Sequence, residues 1–178
     1  MIDLSDVKVR LRRGNALLFR ADSPCLAHLL VRLEGMNRRA VVLWALGCVR
    51  APVLSLREFF PGDARFEEAL SFARAWAQGK VKMPAARRAI LAAHAAAKET
   101  GSVCAAALCH AVGQGCSAVH SVRHAPGLAY YELTSLVLRF GLEGCEEAVN
   151  AKIVAYERFA ELAARDADIG PWANFLRE

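Results

Sequence analysis

Apolar residues recur at spacings of three and four along most of this chain, the period of helices that bury one face. The clearest run follows Pro61-Gly62-Asp63, where Phe66, Ala69, Leu70, Ala73 and Trp76 form one apolar stripe and Gly79 closes the helix. Upstream, Ser23-Pro24 is a cap followed by proline in the first turn, opening a helix to about Leu33. Arg38 to Arg50 reads as the next, with Val41, Leu43, Trp44 and Cys48 apolar, and Pro52 separates it from a shorter helix to Phe60. Downstream, Pro84 starts an alanine-rich helix to about Lys98, and Ser102 caps another to about Val119. Ser121 to Phe140 and Glu143 to Asp166 complete the series, the last with Val149, Ile153, Tyr156, Phe159 and Leu162 expected inward. Gly170-Pro171 ends it, and Trp172, Phe175 and Leu176 are expected to fold back onto the body.

The start of the chain departs from that period. Val7, Val9 and Leu11 alternate with Lys8, Arg10 and Arg12, the two-residue repeat of a half-buried strand, and Arg13-Gly14-Asn15 is a turn signal before Ala16 to Phe19. These predict a small N-terminal β-hairpin. Elsewhere, connections of two to five residues bring consecutive helices together antiparallel. The predicted architecture is all-α, a compact bundle of stacked antiparallel helical hairpins carrying that hairpin at its start. One domain is expected over 1–178, with an extension at 1–22 and an acidic helix and tail at 143–178.

Composition fits a packed bundle. Of 178 residues 55% are hydrophobic and 23% charged, a globular balance, and alanine dominates the apolar set. The longest stretch without Asp, Glu, Lys or Arg, from Thr100 to Val122, contains Gly, Ser, Gln, His and Cys, which makes it too polar for lipid and expected as the central core helix. Met1 to Asp6 holds two acids and no basic residue, unlike a secretory leader. The six cysteines (Cys25, Cys48, Cys104, Cys109, Cys116, Cys145) form no Cys-x-x-Cys pair and sit mostly among apolar neighbours, as reduced core residues do. A cytoplasmic protein without disulfides or membrane span is expected.

Charge changes the picture more. Residues 1–140 hold 19 Lys+Arg against 10 Asp+Glu, and residues 141–178 hold 4 against 8, within a net charge of +5. The acidic end can bind the chain's own basic face, or the basic body can steer an acidic partner. Nucleic acid is not expected, because the Arg10-Arg12-Arg13 and Arg38-Arg39 clusters are short and lack interleaved aromatics.

Candidate chemistry centres on histidine. His110 and Gln114 lie four apart, as do Cys116, His120 and His124, and His94 sits on the preceding helix. Pairs four apart on a helix can share a metal ion, but positions eight apart are separated by about 12 Å of axis, so three cannot meet one ion. Adjacent Cys109 and His110 point about 100° apart, which disfavours a Cys-His pair, and no strand precedes Gly113 and Gly115, which excludes a phosphate loop. No catalytic residue, metal site or cofactor is expected. Glycines inside a helical run instead suggest close helix contact or a ligand against backbone. Trp76, Lys80, Lys82, His94, His110, Gln114, His120 and His124 are the candidate interface or groove residues; Trp44 and Trp76 are expected as core anchors, with a partner-binding hot spot as the alternative. Such helices pack within one chain or between two, which leaves a homodimer open.

The run Trp76-Ala77-Gln78-Gly79-Lys80-Val81-Lys82-Met83, then Ala86-Arg87-Arg88-Ala89 and His94-Ala95-Ala96-Ala97, resembles the bacterial "putative immunity protein" domain associated with polymorphic toxins. So do Ala111-Val112-Gly113-Gln114, His120, His124-Ala125, Ala129 and Tyr131, and, upstream, Leu43-Trp44-Ala45, Cys48 and Phe60-Pro61-Gly62-Asp63-Ala64-Arg65. The match covers roughly residues 38–140, the family-like core. The resemblance implies an all-helical cytoplasmic protein that binds a cognate protein toxin and neutralises it without catalysis. A helical ligand- or metal-binding or structural protein is the alternative. Inhibitors of nucleases are usually acidic, to fill a basic cleft, so a chain of charge +5 fits a toxin that is not a nuclease better, unless the acidic Glu143–Asp168 segment alone makes the contact.

Overall fold

The computed structural model describes residues 2–176. Among them there are helices and no strands. In order these are α1 (Ser5–Arg12), α2 (Ala27–Gly35), α3 (Arg38–Cys48), α4 (Arg50–Leu56), α5 (Arg65–Ala77), α6 (Met83–Ala95), α7 (Val103–Ser117), α8 (Ala125–Gly144) and α9 (Glu146–Asp166), with short 3₁₀ turns at Pro24–Leu26, Ala96–Lys98, Val122–His124 and Asn174–Leu176.

Local chemistry sets the boundaries. Ser102 Oγ accepts from the Ala105 amide at 3.2 Å and Asn37 Oδ1 from the Ala40 amide at 2.9 Å, capping α7 and α3. Gly79 has φ +74°, a left-handed exit from α5 that lets the Lys80 amide return to the Ala75 carbonyl. Gly141, at φ +73°, bends the end of α8.

The uncharged α7 is the central helix, touching α3, α4, α5, α6 and α8. The α7–α8 pair is antiparallel: Cys104 reaches Ser135, His110 meets Tyr131, and Gln114 lies over Gly127, so one index rises as the other falls. The α3–α4 stretch Arg38–Leu56 has the length and composition of a membrane span, yet Val42, Trp44, Ala45 and Leu56 are fully buried in the core.

Helix α9 lies across α3 and α8. The Trp44 indole donates to the Tyr156 carbonyl at 3.0 Å, and the Tyr156 hydroxyl donates to the buried Glu132 carboxylate, whose other oxygen sits 2.7 Å from Lys152 Nζ. A buried carboxylate is tolerable only with such partners. The buried stripe of α9 is Val149, Ile153, Tyr156, Ala160 and Ala163. Phe159 and Leu162, expected inward, are instead 37% and 44% exposed. Spacings of four and three continue from Tyr156 to Ala160 and Ala163, and the bulkier neighbours flank that seam.

The N-terminal hairpin does not form; Ser5–Arg12 is helical. Val7 and Arg10, three apart, face the body, while Val9 is 45% exposed. Arg10 decides the matter. Its guanidinium pairs with Asp6 one turn earlier, an arrangement a strand cannot make, and donates to the Leu18 carbonyl at 2.9 Å and Ser23 Oγ at 3.0 Å. The following segment then runs without regular structure, burying Leu18 and Phe19 completely, with the Leu18 amide on Thr134 Oγ1 at 3.0 Å.

At the other end, Trp172, Phe175 and Leu176 do fold back: the Ala173 amide bonds the Ala77 carbonyl at 2.8 Å and Phe175 stacks on Trp76 with ring centres 4.9 Å apart.

Candidate functional site

Four of the five histidines come together on one side, from α6, α7 and the junction before α8, while His28 on α2 pairs with Glu157. His94 Nδ1 lies 3.1 Å from His110 Nδ1. A hydrogen bond between two Nδ1 atoms requires one ring to donate and the other to present a bare nitrogen, so the contact uses neutral imidazole. Burial, then the nearby His110 and His124, push His94 down to about 4, and burial also lowers His110. The His110 ring continues to Tyr131, centres 5.1 Å apart.

A second string begins at Gln114, whose Oε1 accepts from His124 Nδ1 at 2.9 Å. His124 meets His120 with centres 5.3 Å apart, and His120 meets Trp76 at 6.1 Å. Burial lowers the His120 pKa, with smaller contributions from His124 and Arg87. All these rings are half-buried, as is Gln114.

Two glycines make this packing possible. A Cβ on Gly113 would sit 2.2 Å from His94 Nε2, and one on Gly127 would sit 2.8 Å from Gln114 Oε1. Gly115 meets Val49 in the same manner, at 2.9 Å from its Cγ2. The glycines of α7 therefore serve close helix and side-chain approach.

Of the other candidates, Lys80 and Lys82 are exposed in the α5–α6 turn. Cys116, four residues before His120 in sequence, is fully buried in the core, and the Cys104 thiol turns to the Ser135 carbonyl. Among the described residues no three or more of His, Cys, Asp and Glu are grouped to hold a metal ion. All six thiols are free, and burial raises every one of them, Cys25 to about 11 and Cys109 and Cys116 to about 12. A thiol held protonated is a poor nucleophile.

Residues 32–159 match the family described as "Imm-5 like putative immunity protein". The chain belongs to this family. The match spans α3 to α8 and most of α9, so every histidine of the cluster lies within this immunity-protein region, while α1 and the tail that carries Phe175 lie outside it. No curated protein and no solved structure matches the chain.

The ion pairs supply what the sequence leaves open about charge. Arg32 pairs with Glu157 and Glu161, and Arg39 with Asp168, so α2 and α3 take up acids of the C-terminal segment. Lys80, Lys82, Arg87 and Arg88 on the α5–α6 side have no carboxylate partner among the described residues. Glu157, Glu161 and Asp168 are thus taken up within the chain, and Arg87, without a carboxylate partner among the described residues, lies close enough to His120 to lower its pKa.

Proposed function

We propose that this immunity-family protein acts in the cytoplasm by binding a cognate protein toxin and neutralising it through occupancy, with no chemistry of its own. Family membership over residues 32–159 carries the reading. The site supports it: its imidazoles bond to one another and to an amide rather than to a carboxylate or hydroxyl, which is not how a general base is oriented. Its thiols are protonated and mostly interior. A half-buried aromatic and imidazole surface with the unpaired Arg87 close by has the composition of a protein contact.

Co-expression with each open reading frame flanking the gene tests the reading. Growth restored to a host that one of those products kills alone is the expected outcome. A set of flanking products with no toxicity, or toxicity this chain leaves untouched, removes it.

One observation favours a second reading, a helical metal- or ligand-binding protein. Two imidazole nitrogens 3.1 Å apart are close to the roughly 3.3 Å edge between nitrogens on one tetrahedral zinc. Stoichiometric zinc in protein purified without chelator would support that reading over the first.

A further inference from the structure

Where α3 and α5 meet the end of α9 and the tail, an apolar trough of about 560 Å³ opens to solvent. Its floor is Gly47, which has no side chain because the Phe159 ring occupies that space; a Cβ there would sit 2.1 Å from Phe159 Cε1. Leu43, Phe159 and Trp172 line it, and Ile169, 74% exposed, stands at its edge. The trough runs into a second one of about 560 Å³ that shares Arg50, Arg74 and Gln78 with it and adds Lys80 and the Arg57–Glu67 ion pair.

The two arginines are the informative part. Arg74 is half-buried, donates only to the Leu46 carbonyl at 3.3 Å and has no carboxylate partner among the described residues. Arg50 beside it also lacks one, and burial together with the charge of Arg50 pushes the Arg74 guanidinium down. Elsewhere the buried Arg10 and the half-buried Arg32 and Arg65 are each matched by two acids, and the half-buried Arg38, which has none, donates to the Phe175 carbonyl at 2.8 Å and lies over the Phe175 ring. A guanidinium held in partial burial against a like charge is a site short of an anion. An apolar trough ending in the half-buried Arg74 and the exposed Arg50 beside it fits an apolar anchor side chain followed by carboxylates.

The geometry points to this trough as the docking site for an acidic segment of the partner protein, an aromatic or aliphatic anchor seated over Gly47 and Phe159 with flanking Asp or Glu side chains on Arg50 and Arg74. It rests on the toxin-binding reading and adds a contact apart from the histidine surface, none of whose residues lines the trough.

The test uses the full chain and the products of the flanking open reading frames, with binding followed by calorimetry and by hydrogen exchange. In the complex, protection is expected over residues 43–50, 74–78 and 169–172. The variant Arg50→Glu/Arg74→Glu should weaken binding by about 100-fold or more, through like-charge contact with the partner's acids. Because Arg74 is half-buried, the exposed pair Arg50→Glu/Lys80→Glu is measured beside it and should weaken binding in the same direction. Arg12→Glu/Arg13→Glu, an equal charge change on α1, serves as control and should leave binding unchanged. A flanking product that binds wild type and both reversed variants within threefold overturns the docking site and leaves the toxin-binding reading standing. If no flanking product binds wild type, both fall.

Discussion

The His94 imidazole occupies the space where residue 113 would carry a side chain: a Cβ on Gly113 would lie 2.2, 2.3 and 2.4 Å from three of its ring atoms. His94 cannot swing aside freely, because its Nδ1 is bonded to His110. Gly113→Ala is therefore expected to destabilise by about 1–3 kcal/mol, the usual cost of overpacking. His94→Ala in the same chain removes the clash, so the double variant should lose less than the sum of the singles in urea unfolding. Additive losses would mean that the ring and the glycine are not in contact.

The same burial makes stability depend on pH. His94 is held near 4 in the folded chain, and His110 and His120 are also lowered, against an unfolded value of 6.5. Between those values the unfolded state binds more protons, so acid favours unfolding. Stability is full above about pH 6.5 and is expected to fall as pH drops toward 4. Melting curves from pH 7.5 to 4.5 check the sign, and His94→Asn should flatten the slope. A melting temperature that rises over that interval would contradict the placement of these rings.

Glu132 supplies the sharpest stability prediction. It is 4% exposed and compensated by Tyr156 and Lys152. Lys152→Met leaves the carboxylate buried without a cation and should cost about 3–5 kcal/mol. Tyr156→Phe, which removes one hydrogen bond, should cost less, about 1–3 kcal/mol. Denaturant midpoints read both, and a Lys152→Met protein as stable as wild type would show that the pair contributes nothing.

Metal removal separates the two functional readings. The zinc alternative has two imidazoles and no third ligand grouped with them among the described residues. Chelator dialysis is expected to leave the melting temperature unchanged, since two imidazoles fall short of the four ligands that a structural zinc takes. A drop reversed by zinc would favour the metal reading.

Much of this was legible in the chain because it is written locally. Ser102, Pro84 and Gly79 mark helix ends by rules that need only neighbouring residues, and the stripe from Phe66 to Ala73 is buried as its period requires. The N-terminus misled for a physical reason: alternating Val and Arg satisfies a strand on paper, and only tertiary partners, Leu18 and Ser23 on Arg10, settle it as a helix. Phe159 misled because size was read as burial, whereas the α9 seam accommodates Ala160 and Ala163. The histidines were visible as a set. That His94 would meet His110 and Gly113 depends on how α6 crosses α7, which no spacing encodes. The Arg50–Arg74 trough was not legible at all, since it is made by residues 24 apart whose shared feature is the acid neither has.

Neutralisation by occupancy is tested by titrating the cognate toxin's activity with this chain, the toxin held well above the dissociation constant. Linear loss of activity to an endpoint near one chain per toxin, reversed when the complex is diluted or denatured and the toxin refolded, is the predicted result. Complete inactivation by a small fraction of an equivalent, or toxin that stays inactive after separation, would show turnover and contradict it.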